Sequence, residues 1–209
     1  MKLFFFGSDF LAQPEYQMIE SPEPEEVKYL LSVEAQMLAV INQYGRPGLA
    51  APQIGIPLRM VVLRLGNGGK LTLLNPVIER MYGSETEYPE NCISCPPGGN
   101  QCGVARMQII HVSGSSLERP QEVKEWKFTS KDARVVQHEI DHLNGVFFFD
   151  RANLVEKAHV IERFNLWKRT FKQNGTEFSF RGGRNGNHRN YSSSESRARS
   201  EQNSLPGSR

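Results

Sequence analysis

Apolar and polar residues follow a helical period in the first quarter of the chain. Apolar residues recur three and four positions apart between residues 27 and 41. Prolines at 22 and 24, followed by two glutamates, favour a helix start just before this stretch. We therefore predict one largely buried helix. Its apolar positions are Val27, Leu30, Leu31, Val33, Met37, Leu38 and Ile41.

Shorter runs rich in Val, Leu and Ile predict β-strands, which clusters of Gly, Pro and Ser separate. Strands mixed with helices indicate an α+β domain. We expect small antiparallel sheets packed around a central metal-binding helix, whose motif is described below. The predicted strands are residues 60–65, 71–74, 77–81, 104–112 and 123–128.

Two more helices are predicted in the second half of the chain. Thr129 with Asp132 three residues later resembles a capping box, and a Gly at 145 is typical of a helix end. Asn153 with Glu156 repeats the start signal, and this last helix would run toward residues 174–175. The run Phe147 to Phe149 between the two helices is expected in the core.

The composition changes after residue 175 to Gly, Ser, Asn and Arg with few apolar side chains. Such a segment cannot bury enough surface to offset the entropy lost on ordering. We expect a folded catalytic domain at residues 1–172 and a disordered, Gly/Ser/Arg-rich basic tail at 173–209. The tail holds six Arg and three Glu, whereas the whole chain has a net charge of only +2.

No apolar run is long enough for a membrane span, and the start of the chain is too short for a secretory signal. This predicts a cytoplasmic protein without a membrane partner, in a bacterium or a phage-infected host, with an organelle as the alternative. Three cysteines lie within residues 92–102. An odd, clustered number argues against a disulfide framework and favours metal or redox chemistry.

His138 and His142 lie four residues apart, so a helix places both imidazoles on one face. Two such histidines can bind a divalent ion, and the adjacent Glu139 can accept a proton from a water that the ion activates. The alternative is an ordinary amphipathic helix with incidental histidines. An apolar stripe anchors the helix in either case; it comprises Ala133, Val136, Ile140 and Leu143.

A catalytic metal site normally has three protein ligands and one open position. No His or Cys follows His142 at metzincin spacing, so the upstream Cys92 is the better third candidate. Cys95 forms a Cys-x-x-Cys pair with Cys92, which suggests a zinc ribbon or a redox pair instead. The spacing to His138 and the surrounding sequence fit neither of these.

Three segments, in this order, resemble motifs of the peptide deformylases. Residues 48–55 (GLAAPQIG) resemble GxGLAAxQ, residues 90–94 (ENCIS) resemble EGCLS, and residues 137–145 (QHEIDHLNG) resemble QHExDHLxG. The resemblance covers roughly residues 14–149. It implies a metal-dependent hydrolase that removes the formyl group from the N-terminal formyl-methionine of nascent polypeptides and releases formate.

The resemblance also implies roles for single residues. Cys92, His138 and His142 would bind one divalent ion, usually Fe²⁺ in the family, although the same ligands suit Zn²⁺ or another divalent ion. Glu139 would be the general base, and the Gln53 side chain and the Ile93 backbone N–H would stabilise the oxyanion. The substrate-binding residues would be Pro47, Gly48, Glu90, Asn91 and Arg106. Independently of the resemblance, we expect Arg106 to pair with Glu90 and steady the loop around Cys92; the alternative is a lone arginine at the edge of a strand.

Two positions depart from the family motifs. Arg46 stands where the first motif has its first glycine, and the following Pro47 has no N–H for a strand-like contact with a substrate. Asn91 replaces the glycine before Cys92. If that glycine has a positive φ, asparagine is the least costly replacement.

Two other functions compete with the deformylase. One is a metallopeptidase that cuts internal bonds, and the other is an inactive metal-binding homologue with an RNA-binding tail. Glu139 and Gln53 argue against the second, because a structural metal site needs neither. The expected partners are N-formyl-Met nascent peptides and the ribosome, and RNA binding by the tail has only its composition in its favour.

Overall fold

A computed structural model shows three α-helices and one five-stranded antiparallel sheet within the residues that it describes, which are 3, 11–12, 15–95 and 101–173. Two short 3₁₀ turns precede β2 and α3. The helices and strands, in chain order, are α1 (Pro24–Tyr44), β1 (Gly48–Ala50), β2 (Met60–Arg64), β3 (Lys70–Glu90), β4 (Cys102–Ser116), β5 (Arg119–Thr129), α2 (Ser130–Leu143) and α3 (Leu154–Gln173).

The strands pair in sequence order, so the α+β class is confirmed, with one sheet in place of the several that we expected. Two predicted strands, 71–74 and 77–81, are parts of β3. The Asn75-Pro76 pair between them produces a register shift and not a turn, and Asn75 has a φ of 52°. β3 then continues through polar, exposed residues to Glu90, which brings this carboxylate to the region of Cys92.

Helix α1 buries one face and exposes the other. Leu30, Val33 and Met37 are buried against β2 and the neighbouring loops, but Leu31 is 49% exposed. The prediction of a largely buried helix is therefore wrong for the outer face, because apolar residues on adjacent positions cannot all point inward. The helix ends at Gly45, whose φ of 60° closes the last turn.

Helix α2 packs on the sheet through its predicted apolar stripe, and all four of the residues named for that stripe are buried. The predicted capping box is wrong, because the Asp132 carboxylate accepts a hydrogen bond from the Gly66 N–H at 3.0 Å. The predicted end is confirmed: Gly145 has a φ of 68°. Arg59 Nη1 also donates to the Leu143 carbonyl at 2.8 Å.

Helix α3 begins as predicted, since Asn153 Oδ1 accepts hydrogen bonds from the N–H groups of Val155 and Glu156 at 3.1 and 3.0 Å. The three phenylalanines before it are buried, also as predicted. The tail prediction for residues 174–209 lies outside the described residues. Within the described helices, none has the length and apolar character that crossing a bilayer would require.

Candidate active site

Three possible metal ligands converge between the end of β3 and helix α2. One ligand atom from each of Cys92, His138 and His142 lies within 4.8 Å of the other two. Cys92 Sγ is 3.1 Å from His142 Nε2. A tetrahedral ion with bonds of about 2.0 to 2.3 Å fits among donors at such separations. The soft thiolate and the imidazoles are a ligand set for Zn²⁺ or Fe²⁺.

The surroundings of Cys92 favour its thiolate form, the form that binds metals. Burial alone would raise the pKa of this thiol, but the nearby His142 and His138 outweigh burial and lower the pKa well below its usual value. The backbone N–H of Ser94 also donates to Sγ, over 3.4 Å. These contacts with His138, His142 and Ser94 favour the form of Cys92 that could bind a metal ion.

A buried carboxylate fixes the orientation of His138. Glu90 Oε2 lies 3.0 Å from His138 Nδ1, which turns the opposite ring nitrogen toward Cys92. Burial lowers the pKa of His138, but bonds to Cys92 and Glu90 more than compensate and raise it to about 10.

Glu90 is bound in turn by two arginines. Arg106 donates to both of its oxygens at 2.8 and 2.9 Å, and Arg134 Nη1 donates at 2.8 Å. The predicted pair between Arg106 and Glu90 is confirmed. Arg106 also donates to Asp141 at 2.6 Å, and Arg151 binds the other oxygen of Asp141 at 2.7 Å.

This chain of charges lies behind His138, and Glu90 and Arg106 are only 7% and 4% exposed. Their ion pairs behind His138 favour a supporting role over the predicted substrate contact, which stays a prediction. Sequence reasoning missed Arg134, although it precedes His138 by four residues and so shares its helix face. It also missed Asp141, which stands inside the His-containing motif.

Glu139 directly follows His138 on α2 and is also buried. Its Oε2 is buried and has no hydrogen-bond partner among the described residues. Burial is the main cause that raises the pKa of this carboxyl group. Gly48 approaches it so closely that an added Cβ would lie 2.8 Å from Glu139 Oε1, which explains the glycine here.

Gln53 reaches the site from the turn after β1. Its Oε1 accepts from the Ala50 N–H at 2.8 Å, which turns Nε2 toward Ser94 Oγ at 3.1 Å and Cys92 Sγ at 3.4 Å. Ile93 is buried directly after Cys92. The structure thus brings the two predicted oxyanion donors, Gln53 and Ile93, together in and beside the loop that contains Cys92.

The polypeptide deformylase family model matches residues 7–158 of this chain. The chain belongs to this family. This deformylase is 34% identical to the peptide deformylase of Desulforudis audaxviator over 152 residues, 68% of this chain and 96% of that one.

Two solved structures are also similar to this deformylase. A peptide deformylase from Synechococcus elongatus in complex with actinonin shares 32% identity with a TM-score of 0.68, over 79% of this chain and 86% of that one. Arabidopsis thaliana peptide deformylase 1B in complex with an inhibitor shares 26% identity with a TM-score of 0.72, over 84% and 94%.

Family membership answers the question of function that the sequence left open. The protein is an enzyme that removes the formyl group from the N-terminal formyl-methionine of nascent polypeptides. These relatives favour deformylation over the cutting of internal peptide bonds and over an inactive binding protein.

Arg46 and Asn91, which both depart from the family motifs, are in contact. Arg46 Nη1 donates to Asn91 Oδ1. Asn91 does not have a positive φ, so the reason that we considered for an asparagine here does not hold. Pro47 is exposed, and its carbonyl accepts from the Arg64 N–H at 2.7 Å within the sheet.

The other cysteines of the deformylase, Cys95 and Cys102, lie in an apolar cluster that also contains Cys92 and the three phenylalanines before α3. Burial is the main cause that raises the pKa of the Cys95 and Cys102 thiols, that of Cys102 to about 11. Neither belongs to the candidate metal cluster found among the described residues. The geometry therefore gives no support to a Cys-x-x-Cys zinc or redox pair.

Proposed function

We propose that this deformylase works with one divalent ion bound by Cys92, His138 and His142, and with Glu139 as its acid and base. One observation carries the proposal. Beside the three converging ligands lies a buried Glu139 oxygen without a hydrogen-bond partner among the described residues. A buried carboxylate oxygen without a donor is costly in free energy, unless a water or a substrate binds there.

A divalent ion at this site, when bound, supplies a Lewis acid that makes water a better nucleophile near neutral pH and polarises a carbonyl oxygen. We propose Fe²⁺ as the native ion, on the strength of the family resemblance. Zn²⁺ or another divalent ion is the alternative, since the ligand set accepts both.

Glu139 would handle both proton transfers. Its carboxylate accepts a proton from the water that attacks the formyl carbon. As the C–N bond breaks, the carboxyl group returns that proton to the amine nitrogen of methionine, and formate leaves. Burial raises the pKa of Glu139, so the protonated form is accessible between the two transfers.

The remaining residues would bind the substrate or hold the catalytic groups in position. The Gln53 Nε2 and the Ile93 backbone N–H, both next to Cys92, would donate to the oxyanion of the formyl group. Gly48 lets the substrate approach Glu139, and Pro47 borders the same strand. Glu90, with Arg106 behind it, would hold the His138 ring in place without touching a substrate.

Formate release from formyl-Met-Ala-Ser tests the proposal, with protein purified anaerobically and supplied with Fe²⁺ or Zn²⁺. Acetyl-Met-Ala-Ser is the matched control and should yield no acetate, since the proposed reaction removes a formyl group. Turnover should disappear when a chelator removes the metal and return when the metal is added back. Undiminished formate release by protein shown to lack metal would contradict the proposal.

We also propose that the enzyme meets its substrates in the cytoplasm at the ribosome, where formylated chains emerge. Only the identity of the substrate supports this, because the basic tail lies outside the described residues. Co-sedimentation with ribosomes of the full chain and of a chain ending at residue 175 tests it. Absence of the full chain from the ribosome pellet at low salt would contradict it.

A further inference from the structure

Arg46 and Asn91 connect the two segments that border the site. Arg46 follows Gly45 at the end of α1, where its backbone N–H donates to the Ile41 carbonyl at 3.0 Å. Asn91 lies between Glu90 and the ligand Cys92 on the opposite segment. The hydrogen bond from Arg46 Nη1 to Asn91 Oδ1 therefore spans from the chain before β1 to the loop after β3.

The pair lies beside the path to the reacting centre. Gly48, two residues after Arg46, contacts the Glu139 carboxylate, and Asn91 directly precedes Cys92. An extended chain advances about 3.3 Å per residue, so the Arg46 backbone is roughly 7 Å from that of Gly48. If the formyl carbon of a substrate lies at Glu139, the first or second residue after the substrate methionine would lie beside Arg46.

The Arg46 guanidinium still has hydrogen-bonding capacity. Asn91 accepts from Nη1, but the Nε–H of Arg46 is buried and has no partner among the described residues. An unsatisfied buried donor is rare and unfavourable. The planar guanidinium matches the geometry of a carboxylate, which would accept from the N–H groups on the solvent side of the half-buried Arg46 while Asn91 keeps the side chain in place. Asn91 itself is exposed, so the pair is open to solvent on one side.

We propose that Arg46, held by Asn91, is a specificity-determining residue that favours formylated chains with an acidic side chain at the second or third position. The inference rests on the deformylase function proposed above and adds a preference among its substrates. Neutral side chains at these positions would gain no charge-assisted hydrogen bond from Arg46, and basic side chains would be repelled.

The test compares kcat/KM for two matched peptides, formyl-Met-Glu-Glu and formyl-Met-Gln-Gln, both with C-terminal amides so that no terminal carboxylate interferes. Wild-type enzyme should prefer the Glu peptide by about fivefold at low salt, the range of a partly exposed ion pair. The preference should shrink at 0.5 M salt, and Arg46→Gln should bring the ratio close to one. Because both peptides are assayed on one preparation, differences in metal loading or folding cancel.

Further variants separate the effect of the position of the Arg46 guanidinium from the effect of its charge. Arg46→Lys keeps the charge without the planar group, and Asn91→Gly keeps the arginine without its support, so both should give intermediate ratios. Arg119→Gln removes an exposed arginine on β5 and should leave the ratio at the wild-type value. Should Arg46→Gln fail to fold, the salt dependence of the wild-type ratio and the Arg46→Lys variant still decide.

A wild-type ratio near one, or an equal ratio in wild type and Arg46→Gln, would overturn the proposal. Hydrolysis of neither peptide by metal-loaded wild-type enzyme would instead contradict the proposed function.

Discussion

Two buried carboxylates on either side of His138 differ in almost every respect except burial. Glu90 accepts hydrogen bonds from Arg106 and Arg134 and lies against the imidazole, whereas Glu139 has an oxygen without a partner among the described residues. Burial raises the pKa of both. At Glu90, bonds from His138 and Arg106 outweigh burial and hold the pKa well below its usual range, but at Glu139 burial prevails.

This difference supports the proposed roles, in which Glu90 positions His138 and Glu139 transfers protons. Both Glu90 oxygens are hydrogen-bonded to an arginine or to the His138 ring. These bonds stabilise the charged carboxylate over its protonated form. Glu139 has an oxygen without a hydrogen-bond partner among the described residues, and burial raises its pKa toward that of a working acid and base. The number and charge of the partners decide the role, since the two side chains are alike and equally buried.

Glu139→Gln should have the largest effect on turnover. The amide keeps the size of the side chain but cannot accept a proton, so kcat should fall by about 10² to 10⁴-fold. Formate release and circular dichroism on one preparation check this, and the fold should be retained. Near-normal turnover of a correctly folded variant would break the comparison, because another group would then move the proton.

The same substitution at Glu90 should give the opposite pattern. Glu90→Gln leaves Arg106 and Arg134 facing a neutral group in the interior, so the free energy of unfolding should fall by about 3 to 5 kcal/mol. Metal affinity should weaken by about 10 to 100-fold, since His138 loses its support. Denaturant unfolding and metal titration measure the two effects. Unchanged stability with a large loss in kcat would reverse the assigned roles.

Gln53→Ala tests the part of the site around Glu139 without changing that carboxylate. Loss of one oxyanion donor should lower kcat by about 10² to 10³-fold while Glu139 stays intact. Ser94→Ala is the matched control, because it removes the neighbouring hydroxyl contact and leaves the Gln53 amide in place. Equal losses from both variants in steady-state assays would indicate that Gln53 supports the loop and contributes no oxyanion hydrogen bond.

The smallest effect is expected from deletion of the tail, which lies outside the described residues. Deletion of residues 176–209 should change the free energy of unfolding by less than about 1.4 kcal/mol, because the tail has little material for a core. Thermal or urea unfolding and formate release check this. Deletion from residue 160 onward is the contrasting control, since it removes the buried Val160 and Phe164 of α3 and should destabilise the domain.

The sequence predicted those parts of the site that are encoded by local spacing. His138 and His142 share a helix face because they are four residues apart, and the apolar stripe of α2 follows the same period. The Asn153 cap was also predictable, because it and the N–H groups that it binds are at most three residues apart. These features need no knowledge of the rest of the chain.

Features that depend on distant residues were missed or misjudged. Asp132 has the spacing of a capping residue, but Gly66 from another loop binds it. Arg134 joins the charge network only because β3 brings Glu90 to it across 44 residues. The polar end of β3 has no apolar pattern to reveal a strand, since much of this hairpin is exposed. The contact between Arg46 and Asn91 is likewise non-local.

The roles of both carboxylates depend on an ion bound by Cys92, His138 and His142, so the metal content of two cysteine variants is the most direct test. Cys92→Ser and Cys95→Ser change neighbouring buried thiols in the same turn. Purified anaerobically with Fe²⁺, the wild-type and Cys95→Ser proteins should each bind one ion per chain, and Cys92→Ser should bind little or none. Full metal occupancy in Cys92→Ser, with an empty site in Cys95→Ser, would contradict the account.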